Sequence, residues 1–141
     1  MSLDDSRQEL EAVADDGDLS AFFLAAKNNA KAEITTIEAI NKVLRPYDRI
    51  YRPAADGPFP AMLFFHGCSG ATIAHEEDWA RFYNDIGVVL IAVDSYTGRD
   101  IDWEDTCNFT KMTPWERAGD VLATVAYVRN LDFVDANHIG I

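Results

Sequence analysis

The chain has 141 residues, 48% of them hydrophobic and 26% charged, with a formal net charge of −12. That amounts to one globular domain with enough apolar content for a core, and the acidic balance argues against a surface built for nucleic acid or anionic membrane. No apolar run approaches the ~20 residues that a membrane helix needs.

Residues 1–18 hold seven of the 24 carboxylates (Asp4, Asp5, Glu9, Glu11, Asp15, Asp16, Asp18) against Arg7 alone. Half of the net charge therefore sits on one segment, expected to be a solvated arm or a weak surface helix. The opening MSLDDSRQEL lacks the basic and hydrophobic regions of a signal peptide, so a cytoplasmic location is expected. Two helices follow. DLSAFFLAAKNNA starts on Asp18 as a candidate N-cap and carries Phe22, Phe23 and Ala26 toward one face. AEITTIEAINKVL places Ile37, Ile40 and Leu44 at helical spacing. Arg45-Pro46 ends that helix, because proline disfavours helix in the residue before it. Residues 1–47 thus read as an acidic arm with N-terminal helices, and 48–141 as the body of the fold.

DRIYRP is a short strand candidate and AADGPFP a turn. AMLFF (61–65) and VVLIAV (88–93) are continuous apolar runs, as in strands buried on both faces of a parallel sheet. Between them AHEEDWARFYNDIG reads as a helix, with Trp79, Phe82, Tyr83 and Ile86 predicted to face the core and Gly87 as its C′ residue. TPWERAGDVLATVAYVRNL opens with Thr113, Pro114 and Glu116, a capping box with proline at its preferred place. Its predicted buried stripe is Ala118, Val121, Leu122, Val125 and Val128. HIGI then begins another strand. The order predicts an α/β fold, doubly wound around a mainly parallel sheet.

The chemistry concentrates in FFHGCSGA, a glycine-framed turn between a strand and a helix. A nucleophile elbow reads G-x-S-x-G; around Ser69 the first glycine is Gly67, but Ala71 stands where the second belongs. The position, after an early strand and two strands ahead of HIGI, is that of an oxyanion turn. There the backbone N–H of Cys68 would aim a fixed dipole at charge developing on a substrate oxygen, supported by His66, Gly67 and Gly70. Cys68 as a reactive thiol would need a lowered pKa, and a buried thiol acting as a small hydrophobe is the simpler reading. Free thiols are the default expectation for Cys68 and Cys107, a single bridge between them being conceivable only in an oxidising compartment. A Ser69–His75–Asp94 triad can be written, but Asp94 at the end of its strand is better placed to anchor the loop and His66 to brace the turn. His66, Cys68, His75 and Cys107 fit no recurrent metal spacing. HGCSGA also lacks the signatures of a phosphate loop. No metal and no cofactor are expected.

The segments PFPAMLFFHGCSG, VVLIAVDSYTGRD, ERAGDVLATVAYVRNL and VDANHIGI resemble successive parts of the dienelactone hydrolase family, within the α/β-hydrolase superfamily. The resemblance covers roughly Asp48 to Ile141, and the HGCSG turn and the pair Arg117 and Asp120 are its most telling parts. It implies hydrolysis of a small ester or lactone through a Ser or Cys nucleophile, a His base and an acid. It also implies Cys68 as oxyanion donor and Tyr96, Arg99 and Trp103 as pocket lining. In such proteins the strand resembling HIGI runs into the elbow, so the whole triad is expected beyond Ile141 and the chain by itself is predicted inactive. Two other readings stand beside it: a non-catalytic, self-associating or binding module on a half hydrolase fold, and a thiol-based activity of Cys68 and Cys107. An uncovered sheet edge near residues 138–141 predicts a homo-oligomer.

Overall fold

The computed structural model describes residues 17–20, 23, 34–103, 106–107 and 111–141. Its elements follow in chain order as α1 (Ile37–Leu44), a 3₁₀ turn at Arg45–Tyr47, β1 (Arg49–Tyr51), β2 (Phe59–Phe65), α2 (Ile73–Asp85), β3 (Val89–Val93), a 3₁₀ turn at Thr97–Arg99, α3 (Pro114–Val128) and β4 (Val134–Gly140). The strands lie in the order β1-β3-β2-β4. β1 runs antiparallel to β3, and β2 runs parallel to both β3 and β4. The result is a mixed helix and strand architecture around a mostly parallel four-stranded sheet. The acidic segment before Gly17 and most of DLSAFFLAAKNNA lie outside the described residues.

All five residues of β3 are buried, which explains the unbroken apolar run: side chains alternate between faces, and both faces are covered. Val89, Ile91 and Val93 join Phe59, Ala61 and Leu63 of β2 in a core closed by Ile40 and Leu44 of α1 and Ala123 and Val128 of α3. Leu19 and Phe23 enter the same core, and the Leu19 and Ile37 amides donate to the carbonyls of Thr35 and Gly17. The described residues before Asp48 thus pack as part of one body with the sheet. On the opposite face α2 covers β3.

Helix boundaries follow their caps. Thr36 accepts from the Ala39 amide at the start of α1, and Thr113 and Glu116 form the full capping box of α3 with Pro114 in its first turn. Gly87 after α2 has φ +79°, the left-handed conformation that glycine adopts without strain. Strand β4 begins earlier than HIGI. Val134 pairs with Phe59 and Ile139 with Ala61, so residues 135–138 bulge out of the ladder.

Two predicted helix faces are corrected. On α2 the side turned inward is Glu76 and Ala80, while Trp79, Phe82 and Ile86 are 45%, 56% and 62% exposed. Glu76 is drawn in because Arg49 on β1 grips it with two hydrogen bonds of 2.5 and 2.6 Å and the Tyr51 hydroxyl adds a third at 3.3 Å. The small Ala80 lets the helix approach the sheet. On α3 the fully buried residues are Gly119, Asp120, Ala123, Thr124 and Val128, with Leu122 and Val125 only partly covered. The helix is rotated so that Gly119 meets Phe23; a Cβ there would stand 2.6 Å from the Phe23 ring.

Beside the 3₁₀ turn that follows α1, the Asp48 side chain is 5% exposed. Arg45 Nε stands 3.1 Å from Asp48 Oδ2, but off the line of a hydrogen bond, and neither carboxylate oxygen has such a partner among the described residues. Burial pushes the Asp48 pKa up to about 7, despite Arg45 and Arg49 and with Asp94 and Asp120 adding to the rise. An acid whose folded pKa exceeds its unfolded one stabilises most below the unfolded value and loses that contribution as pH rises through the folded value. Asp48→Asn is therefore expected to raise the thermal midpoint at pH 8 by several degrees. The gain should shrink steadily on acidification and vanish near pH 4, a trend read by calorimetry across that range.

Candidate functional site

The turn His66–Gly70 leaves β2 at its carboxyl end, beside the loop that leaves β3. His66 ties the two together. Its ring is 2% exposed; Nδ1 lies 2.8 Å from the Gly67 carbonyl and Nε2 accepts the Ser95 amide at 3.1 Å. That pattern places the proton on Nδ1. Burial lowers the His66 pKa, with the nearby Arg117 guanidinium adding to the effect against the Gly67 carbonyl. A neutral, fully engaged imidazole of this kind positions backbone and is poorly placed to take a proton from a nucleophile. Arg117 completes the bracket from α3, its guanidinium bonding the His66 carbonyl and lying over the Tyr96 ring.

Asp94 anchors the loop after β3. It accepts the amides of Tyr96 and Thr97 at 3.0 Å each and the Thr97 hydroxyl at 2.7 Å. Burial works to raise its pKa, but these bonds outweigh burial and hold the carboxyl below its usual value. Arg99 in the same loop turns toward the protein. It donates to Asp120 at 2.6 and 3.1 Å and to the Ser95 carbonyl at 2.7 Å. Asp120 is fully buried, and burial raises its pKa against the pull of Arg99.

The two cysteines are not free: Cys68 and Cys107 form a disulfide across 39 residues of sequence. Both half-cystines are exposed, so the expectation of a buried thiol fails as well. The chain holds only these two cysteines, which was the available signal. What sequence could not supply was the approach of the loop after β3 to the turn after β2. Disulfides persist in oxidising compartments and are rare in the cytosol, so the bridge and the cytoplasmic expectation pull in opposite directions. The bridge also consumes the thiols on which a Cys68 or Cys107 nucleophile would depend.

Thr106, missed in the sequence, seconds the bridge. Its buried hydroxyl bonds the Cys68 carbonyl and the Trp103 carbonyl. Gly70, at φ +87°, is packed so that a Cβ there would lie 3.5 Å from Cβ of Trp103. Tyr96 is 7% exposed and meets the His66 ring edge-on at 4.4 Å, while Trp103 is 54% exposed beside the turn. Among the described residues no acceptor takes the Cys68 N–H. Ser69 and His75 are exposed, whereas Asp94 is committed to its loop. His138 is exposed and paired with Asp135 at 2.7 Å on the β4 bulge. No group of three metal-ligating side chains occurs among the described residues, and no described helix is long and apolar enough to cross a membrane.

A groove of about 320 Å³ opens between β2 and α2, lined by Met62, Phe64, Phe65, Trp79, Tyr83 and Ile141. Cys68, Tyr96, Arg99 and Trp103 are not among the residues that line it. Comparison with protein-family models, curated proteins and solved structures gave no match.

The Arg99–Asp120 pair ties the loop after β3 to α3, and removing one buried partner strands the other. Asp120→Ala is expected to cost about 3–5 kcal/mol, measured as a lower urea midpoint with an unchanged slope.

Proposed function

We propose that this chain carries the oxyanion-stabilising part of a dienelactone-hydrolase-like site for small esters or lactones. The observation that supports it most is the Cys68 amide: an N–H without an acceptor among the described residues, in a glycine-framed turn held from below by His66, Arg117 and the Ser95 amide. A donor fixed before reaction needs no reorganisation when charge develops on a substrate oxygen, and this is what makes such donors effective. The sheet supplies the second support. β4 runs parallel to β2 with Met62 opposite Gly140. A chain continuing β4 by three residues would stand alongside Phe65, and a strand-to-helix turn there would face Gly67–Gly70. A two-donor oxyanion hole needs that placement for a nucleophile elbow.

On this reading the nucleophile, base histidine and acid come from residues other than these 141. Of the groups at the turn, His66 is neutral and doubly bonded, Asp94 is spent on its own loop, and Cys68 is in a disulfide. The chain alone is accordingly expected to hydrolyse 4-nitrophenyl acetate or a small lactone no faster than buffer. In a longer chain bearing a G-x-S-x-G or G-x-C-x-G elbow, Cys68→Pro and Cys68→Ser both break the bridge, but only proline removes the N–H. The proline variant is expected to be slower in kcat by a further 10²–10³-fold. Equal rates in the two would end the oxyanion assignment.

The alternative of a self-associating module draws on a different observation. The outer edge of β4 has no strand partner among the described residues, and Trp79, Phe82, Ile86 and Ile141 are exposed. Open edges and apolar patches favour association. The 141-residue chain is expected to sediment as a dimer or larger species, and a compact monomer at high concentration would count against it.

A further inference from the structure

The turn is anchored at two places of different chemical character. Before Gly67 the anchors are hydrogen bonds in the interior: the Ser95 amide to His66 and the Arg117 guanidinium to the His66 carbonyl. After Gly67 the anchors are the Cys68–Cys107 disulfide and the Thr106 hydroxyl on the Cys68 carbonyl. The first set is buried and needs no redox condition. The second depends on a bond whose two half-cystines are both exposed, open to attack by an external thiolate.

We propose that the Cys68–Cys107 disulfide is a thiol-sensitive clasp that holds Cys68–Gly70 against Trp103 and Thr106, and that its reduction loosens the candidate oxyanion turn without unfolding the sheet. A small dithiol supplies the two electrons. Its thiolate attacks one sulfur of the bridge, the mixed disulfide resolves onto the second thiol, and the products are Cys68 and Cys107 as thiols plus the cyclic disulfide of the reductant. The local character follows from where the remaining anchors lie. His66, Ser95, Arg117 and the Arg99–Asp120 pair do not involve the bridge, so β2, β3 and α3 keep their packing. Cys68 loses its covalent tie to Cys107 and keeps the Thr106 hydroxyl on its carbonyl. The proposed control of hydrolysis rests on the oxyanion reading; the clasp itself does not.

The test uses the 141-residue chain under native conditions with dithiothreitol, counting thiols by mass after alkylation and following amide hydrogen exchange. Both thiols are expected to become alkylated. Exchange should rise about tenfold or more in peptides containing Cys68–Gly70 and in those containing Trp103 and Cys107, while peptides of β2 and β3 stay protected. Cys107→Ser is expected to reproduce that local rise without reductant. A bridge that resists dithiothreitol in the folded protein would overturn the proposal. So would exchange that rises in every peptide together, the mark of a global staple, or that rises in none. Because no substrate enters, this result is independent of the comparison of Cys68→Pro with Cys68→Ser, and the clasp and the oxyanion reading can fail separately.

Discussion

Strand β3 is buried along its whole length, and a strand in that condition needs neighbours on both edges and cover on both faces. β1 and β2 supply the edges, α2 one face, and α1 with α3 the other. The connection from β3 to β4 must then pass over β2, which puts α3 beneath the turn that leaves β2. From there Arg117 reaches the His66 carbonyl. The candidate site is a consequence of how this central strand is enclosed: two adjacent parallel strands end side by side, and their loops must settle their polar groups against each other.

That settlement is made with buried charge and neutral imidazole. Asp94 turns its loop back on itself, Arg99 and Asp120 pin that loop to α3, and His66 accepts an amide from it. Each is a polar group that burial penalises unless it is bonded. Together they leave the backbone little freedom below Gly67. The buried bonds below the turn and the disulfide above it give Cys68 a defined position.

Exposed aromatic residues on α2 express a competition between two ways of covering the sheet. The helix could have turned its Trp79, Phe82 and Ile86 stripe inward, at ~1.5–3 kcal/mol for a fully buried large side chain. It turns Glu76 inward instead, because Arg49 on β1 would otherwise be left without its carboxylate partner. Trp79 of that stripe then lines a groove beside β2, while Phe82 and Ile86 are left exposed.

Local sequence determined much of this. The caps at Thr36 and Thr113, the glycine after α2, the proline that ends α1 and the apolar runs of β2 and β3 each act within a few residues of chain, so they are legible without a partner. The turn His66–Gly70 was legible as a turn for the same reason. Tertiary structure alone decided which side of α2 and α3 faces inward, that Cys68 meets Cys107, that Arg99 pairs with Asp120, and that Asp48 has no hydrogen-bonding partner among the described residues. Each of those outcomes depends on a group brought close by the crossovers of the sheet. Hydrophobic periodicity records the apolar side of a helix, not the distant guanidinium or carboxylate that will claim its polar one.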